Sequence, residues 1–417
     1  MKRFLDWFKR TPMLLPFFLL LFLYMPASLL LPPEVDRNAI VTAVGIDKDE
    51  GGYNLSYLRY VPQANANYAE KLEVVTTTGK SISQNLEKAS VVMGKNINLN
   101  HTESIVLGNS VLEEDISIIL DFFVRAPIVL NGCLICASNV SAKETIETIN
   151  FLNDSSGMKL EDIIRYAEIN YYGRETTLET FFGGYYSPTK TSLISLIEVQ
   201  EDDKDGILIT SSQSGQGGGG EEEGQSQGGQ SGGGEKKKTL SNLGKLVLMK
   251  QGKKQAILTR EDIAGLNYIK SNSGKVMLTI TDHDLGNGKL ADIIYEIVEN
   301  KTITNVDFSD NVPVVNFHIE MKLDLFEIVD KLEDEKQSLK QYDIDEKITG
   351  EIEKVVKEEF ANSIKILRQT KTDTLGLYEI MQKADKKAFE KFLTTLDDKN
   401  DFLSHIIFAV SVESDPF

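Results

Sequence analysis

Past residue 37 the apolar positions gather into two short runs rich in β-branched and aromatic residues, Asn38–Asp47 (NAIVTAVGID) and Tyr53–Val61 (YNLSYLRYV). Asp49-Glu50-Gly51-Gly52 between them supplies turn chemistry, which predicts a β-hairpin. Leu72–Gly79 reads as a further strand. The period then changes: Ile82, Leu86, Ala89 and Met93 recur on one face of a helix over Ser81–Met93. A strand at Ser104–Leu107 follows. Asn109-Ser110 opens a helix with Ile116, Ile119, Leu120 and Phe123 on one side, Pro127 ends it, and Ile128–Ser138 reads as a strand. Residues 34–150 thus predict an N-terminal domain of mixed α/β layers.

Helical faces such as Leu160/Ile163/Ile164 and Phe181/Phe182 dominate 141–200, until Ser192–Val199 returns to strand. Ser211–Lys238 then holds only Gly, Ser, Gln, Glu and Lys, including 11 of the 31 glycines. Such a stretch cannot bury apolar surface, so 211–238 is expected to be a disordered insertion in a middle domain, 151–275. Lys245–Thr259 predicts a hairpin turning at Gln251-Gly252. Arg260–Ile269 predicts a short helix and Val276–Thr281 a strand. In the C-terminal domain, 276–417, strands are expected at Ile293–Val298, Ile303–Phe308 and Val312–Leu323. Ile344, Ile348, Ile352, Val355, Phe360, Ile364 and Leu367 trace one face of a long amphipathic helix, 344–368. Leu403–Val412 closes as a strand. The fold class is α+β, with mixed sheets and packed helices.

The first 31 residues follow neither period. Met13–Leu31 is a run of 19 uncharged residues. As a helix it would span roughly 28 Å, against a hydrocarbon core of ~30 Å. Residues 1–12 carry Lys2, Arg3, Lys9 and Arg10 against Asp6, a net +3 that favours the cytoplasmic side. The expectation is a basic cytoplasmic stub, 1–12, a transmembrane anchor, 13–31, and a body outside the cytoplasmic membrane. A cleaved signal is the alternative, with Ala27-Ser28 as its small residues. Either way the body is exported. The formal net charge of the chain is −18, which leaves −21 beyond residue 12. An acidic body of that size repels phosphate backbones, which argues against a general nucleic-acid binder. Two cysteines exclude a disulfide-rich scaffold and a four-thiolate zinc site.

Little in the chain asks to be read as chemistry. Cys133 and Cys136 form C-L-I-C, which on a helix N-terminus could be a redox or metal pair. Here the segment reads as a strand, with the two thiols pointing to opposite faces, so packing is the expectation. Asp282, His283 and Asp284 in TDHDLGNG lack calcium-loop spacing and read as a solvated turn. His101 in NLNHTES has no constellation to join. Glu221–Glu223 and Lys236–Lys238 read as solvated charge blocks. No Walker-type loop or H-E-x-x-H occurs. No residue is nominated as catalytic, cofactor-binding or metal-ligating, no cofactor is implied, and an enzyme is not expected.

Several segments, taken in order, carry a resemblance. VDRNAIVTAVGIDK (residues 35–48) resembles the opening of the mature region of the germinant-receptor C subunits, the Ger(x)C spore germination family. Gly79–Ala89, Asn98–Gly108 and Asp121–Ala126 are similar to its next helix, its strand ending in glycine, and its D-x-x-x-R segment. Leu243–Asn267 resembles its hairpin and helix, and Asp373-Thr374-Leu375-Gly376 its D-x-x-G. The resemblance implies a three-domain ectodomain without assigned catalysis, working beside two membrane subunits in the nutrient-triggered germination of spores, and a place at the spore inner membrane. It leaves small-molecule germinant binding open. The chain departs from the family in one respect that changes its chemistry. Typical members carry a lipid-modified Cys after the signal, whereas this chain has Leu29-Leu30-Leu31-Pro32-Pro33, so an apolar helix is expected to replace the lipid. The competing interpretation is an anchored extracytoplasmic ligand-binding or envelope structural protein unrelated to spores.

Overall fold

The computed structural model describes residues 37–61, 71–125, 129–201, 238–241, 244–269, 276–284, 290–310, 312–330 and 346–416. The apolar run 13–31, the stub before it and 202–237 lie outside the described residues. Among the described residues, no helix is long and apolar enough to cross a membrane.

The predicted first hairpin forms: β1 (Asn38–Asp49) and β2 (Gly52–Val61) pair antiparallel down to Asp49↔Gly52. β3 (Lys71–Gly79) adds to β2, and α1 (Ile82–Met93) follows, with the Ser81 side chain accepting from the Gln84 N–H at its start. β4 (Asn96–Asn98) and β5 (Ser104–Leu107) both run parallel to β1. α2 (Ile116–Arg125) buries Ile116, Ile119, Leu120 and Phe123, the four residues its period singles out. β6 is shorter than expected, Leu134–Ser138, because residues 129–132 turn before it. Three helices then return the chain to the sheet: α3 (Ala142–Ser156), α4 (Leu160–Ile169) and α5 (Leu178–Tyr186). β7 (Thr191–Glu201) pairs parallel with β6 and antiparallel with β8 (Lys238–Ser241) and β9 (Leu246–Lys250). β10 (Lys253–Leu258) completes a ten-stranded sheet of order β10-β9-β7-β6-β5-β1-β2-β3, with β4 beside β1 and β8 beside β7.

The sheet therefore runs across residue 150, where a domain boundary was expected. Its central strands β5 and β6, with most of β1, are buried on both faces. One core packs α1, α2 and α5 and includes Val44, Phe123 and Phe181; the other packs α3 and α4 and includes Val106, Ile146 and Ile164. Parallel strands covered by helices on both sides have this form.

The excursion at 202–237 leaves and re-enters the sheet at neighbouring residues, since Glu201 pairs with Lys238. A two-residue turn could join such ends. Replacing 203–236 with a four-residue Gly-rich turn is expected to preserve the fold. It should raise unfolding free energy by ~2 kcal/mol, because a shorter loop costs less entropy to close. Urea titration measures this, and loss of a cooperative transition would contradict it.

α6 (Arg260–Ile269), predicted to the residue, leads to a second sheet of order β11-β12-β13-β14. β11 (Val276–Asp284), β12 (Leu290–Asp307) and β13 (Val314–Asp330) are antiparallel, while β14 (Ile407–Pro416) runs parallel to β13. β12 replaces the two strands expected at 293–298 and 303–308. The polar stretch between them stays in the strand because its charges pair across it: Lys322 bonds Glu299 at 2.6 Å and Lys301 bonds Glu320 at 3.1 Å. α7 (Glu346–Thr370) buries Ile348, Ile352, Val356, Phe360, Ile364 and Leu367, so Val356 takes the place expected for Val355; Ile344 lies outside the described residues. α8 (Leu377–Ala384) and α9 (Lys386–Thr394) pack on the same core. Residues 399–405 form a 3-10 helix, so the last strand begins at Ile407 rather than Leu403.

The second core is continuous with one end of the first sheet, for it includes Leu193, Leu246 and Leu248. α6 and α7 touch at the backbone level. A Cβ on Gly265 would lie 2.3 Å from Phe360 Cα and 2.5 Å from the Glu359 carbonyl oxygen. The Tyr268 hydroxyl donates to Glu359 across the same contact at 2.5 Å, and burial holds the Glu359 carboxyl above its ordinary value although that bond opposes it.

Candidate functional site

Cys133 and Cys136 are free and buried in the two opposite cores, Cys133 on the α1/α2/α5 side and Cys136 on the α3/α4 side. Burial pushes the Cys133 thiol up to about 12 and the Cys136 thiol upward as well, so neither is poised as a nucleophile. His101 is exposed in the turn before β5. Of the charge blocks, 221–223 and 236–237 lie outside the described residues, and Lys238 begins β8.

His283 does not sit in a solvated turn. It belongs to β11, is 5% exposed, and its Nδ1 lies 2.6 Å from Glu351 of α7. The cause is a bulge between Ile280 and His283, with Asp282 in the left-handed region at φ 57°. One extra residue shifts the period-two phase, so His283 rather than Asp282 faces the core. Among the described residues, no group of three or more His, Cys, Asp or Glu side chains could hold a metal ion.

The residues that carried the resemblance prove to be joints. Asp47 reaches from the end of β1 to the start of α3 and accepts from the backbone N–H groups of Ala142 (2.8 Å) and Lys143 (2.9 Å). Burial holds its carboxyl above the ordinary value, and those two bonds pull it back down. Gly108 lies against this cap, for a Cβ there would fall 1.9 Å from Asp47 Oδ1. Gln251 (φ 53°) and Gly252 (φ 75°) make the tight turn between β9 and β10, with the Gly252 carbonyl accepting from Ile116 N–H at 2.9 Å. Asp373 caps α8 by accepting from Leu377 and Tyr378 N–H groups. Arg125 pairs with Asp121 one turn back. Each is explained by folding alone.

Two surface features are not. A cleft of about 530 Å³ opens where α5 and β7 meet the α7–α8 connection; Arg174, Thr180, Ser192, Thr374 and Glu379 are among its lining residues. Arg174 is held by Glu168 at 3.7 Å, and the Ser192 hydroxyl donates to the Phe181 carbonyl. The Thr374 hydroxyl oxygen is buried without a partner. These walls offer hydrogen bonds and both signs of charge, so the cleft can hold a polar group. The second feature is an apolar ridge. Ile118 and Phe122 share one side of α2, and Tyr186 projects from α5; Ile118 is 72% and Tyr186 73% exposed. Phe182 stacks on Tyr186 at 5.8 Å. Neither feature was visible in the sequence, because the residues of each come together only through tertiary packing.

Residues 33–199 match the family described as the spore germination protein N-terminal domain, and residues 244–415 match the spore germination B3/GerAC-like C-terminal family. A solved structure, described as the crystal structure of the GerBC protein, is similar in fold at a TM-score of 0.51 and 13% identity, over 90% of this chain and 96% of that one. No curated protein matches the chain. With both halves of its body matched in order, and a mixed α+β fold of two sheets like that of GerBC, the chain belongs to the Ger(x)C spore germination family.

Proposed function

We propose that the chain is a non-enzymatic, membrane-anchored C subunit of a spore germinant receptor. It contributes to nutrient-triggered germination by assembling with the other receptor subunits at the spore inner membrane. The observation that carries this is the pair of family matches flanking the excursion at 202–237, which together span the body. Anchoring is supported by the 19 uncharged residues 13–31 behind a basic stub. A non-catalytic role is supported by joints that serve the fold and by thiols that burial holds protonated. Sensing without catalysis needs a surface whose affinity differs between two receptor states.

The α2/α5 ridge suits that task, because large exposed apolar side chains mark contact sites on otherwise polar surfaces. The test is co-purification from spore membranes with the other receptor subunits. Combining Ile118→Lys with Tyr186→Ala should lower recovery of the partners by about tenfold or more, the effect of removing a contact centre. Unchanged recovery would place the contact elsewhere, and failure of the unaltered chain to recover either partner would contradict the receptor assignment.

A further inference from the structure

α1 ends at Met93, turns on Gly94 at φ 62°, and passes through Lys95 into β4, where Asn96 pairs with Asn38 at the start of β1. The C-terminal end of α1 therefore lies beside the place where the described chain begins. Only residues 32–37 separate that place from the apolar run 13–31. Seven residue steps from Leu31 to Asn38 reach at most ~25 Å. Whatever holds residues 13–31 holds this end of α1 close by.

The outer side of that end is unusual for so acidic a protein. Val91 and Val92 are 78% and 67% exposed, while the inner side of the helix buries Ile82, Asn85 and Ala89. Lys88 precedes the valines by one turn, with its exposed ammonium donating to the Thr78 carbonyl, and Lys95 follows the helix cap. Residues 80–96 hold Lys80, Lys88 and Lys95 against Glu87, a net +2 within a chain of −18. A shallow groove of about 250 Å³ lies alongside, lined by Leu86, Ser90, Ile97 and Leu99 together with Glu87 and Asn96. Cations around an apolar pair fit the headgroup boundary of an anionic bilayer, where lysine is attracted and small apolar side chains leave water. The attraction fades within a Debye length of ~8–10 Å, so the acidic remainder of the body is repelled only if it comes equally near.

We propose that Lys88, Val91, Val92 and Lys95 form a foot that rests in the headgroup region of the membrane holding the chain, and so sets the orientation of the body above it. This rests on the anchored reading of residues 13–31.

The test uses the full chain in vesicles of phosphatidylcholine and phosphatidylglycerol. An environment-sensitive label is placed through Val92→Cys, or through Lys387→Cys at an exposed position of α9 as the comparison. The native thiols can remain, since both are buried. Lipid-borne quenchers should quench the label at 92 strongly and the label at 387 little. Lys88→Gln and Lys95→Gln should each lower the ratio of docked to free label about fivefold. Equal quenching at 92 and 387, or quenching at 92 that ignores both the lysines and the anionic lipid, overturns the foot. Protection of position 92 that appears only when partner subunits are added overturns it in favour of a protein contact. Alkaline carbonate separates the two claims. A chain released from the vesicles refutes the anchor and the foot with it, whereas a chain that stays embedded without quenching at 92 refutes the foot alone.

Discussion

Gly265→Ala is expected to destabilise the protein by ~3 kcal/mol, at the upper end of ordinary overpacking effects. The new Cβ would meet backbone, at 2.3 Å from Phe360 Cα and 2.4 Å from Phe360 N, and backbone has no rotamer with which to give way. α6 and α7 must separate. That lengthens the bond between Tyr268 and Glu359 and loosens Phe360 from Phe317 and Phe408, its neighbours at 5.3 and 6.0 Å. The urea midpoint should fall with little change in slope. A change below ~0.5 kcal/mol, the size of an ordinary surface substitution, would contradict the close approach.

Asp47→Ala should cost a similar ~2–4 kcal/mol, because it leaves the Ala142 and Lys143 N–H groups without their acceptor at the first turn of α3. Gly108→Ala attacks the same joint from the other side. Gly108 has an ordinary φ of −66°, so its intolerance is purely steric: an added methyl displaces the Asp47 carboxylate. The two substitutions destroy one contact, so the double variant should lose clearly less than the sum of the singles. Additive losses would show that the joint is not shared. The pH dependence has a definite sign. The folded Asp47 carboxyl titrates above its ordinary value of 3.8, burial being the main cause. Its contribution is fully present below that value and is lost as pH rises through the raised folded value. Asp47→Asn should remove that component of the stability slope.

The local periodicities of this chain were legible because each element advertises itself with its own residues. The hairpin at Asp49–Gly52, the turn at Gln251-Gly252 and α6 all stand where their residue types place them. Features that depend on distant partners were not. β12 runs unbroken through Glu299-Asn300-Lys301 only because Lys322 and Glu320 wait across the ladder. His283 turns inward because a single residue is added to β11, and the Glu351 it meets lies 68 positions away. β6 and β7 share a sheet although three helices separate them. The cysteines pack in opposite cores, as alternation along the segment predicts, although Cys133 lies just ahead of β6. The joint at Asp47 could be seen as part of a motif, but its purpose required knowing that α3 starts beside it.

The parallel pairing of β13 with β14 has a consequence in time rather than in space. Partners all along that ladder stand 93 positions apart, as in the contact between His318 and Ser411. Arg368 near the end of α7 donates to the carbonyls of Leu403 and Ile406, just ahead of β14. A chain synthesised from its N-terminus presents β11, β12, β13 and α7 well before residues 407–416 follow. For that interval the outer edge of β13 is an open template and Arg368 has not met its carbonyls. The first sheet can be finished early, whereas the second must wait for its closing strand. Delivery of residues 407–416 is thus the step that ends the chain's exposure to proteases and to mispairing along that edge.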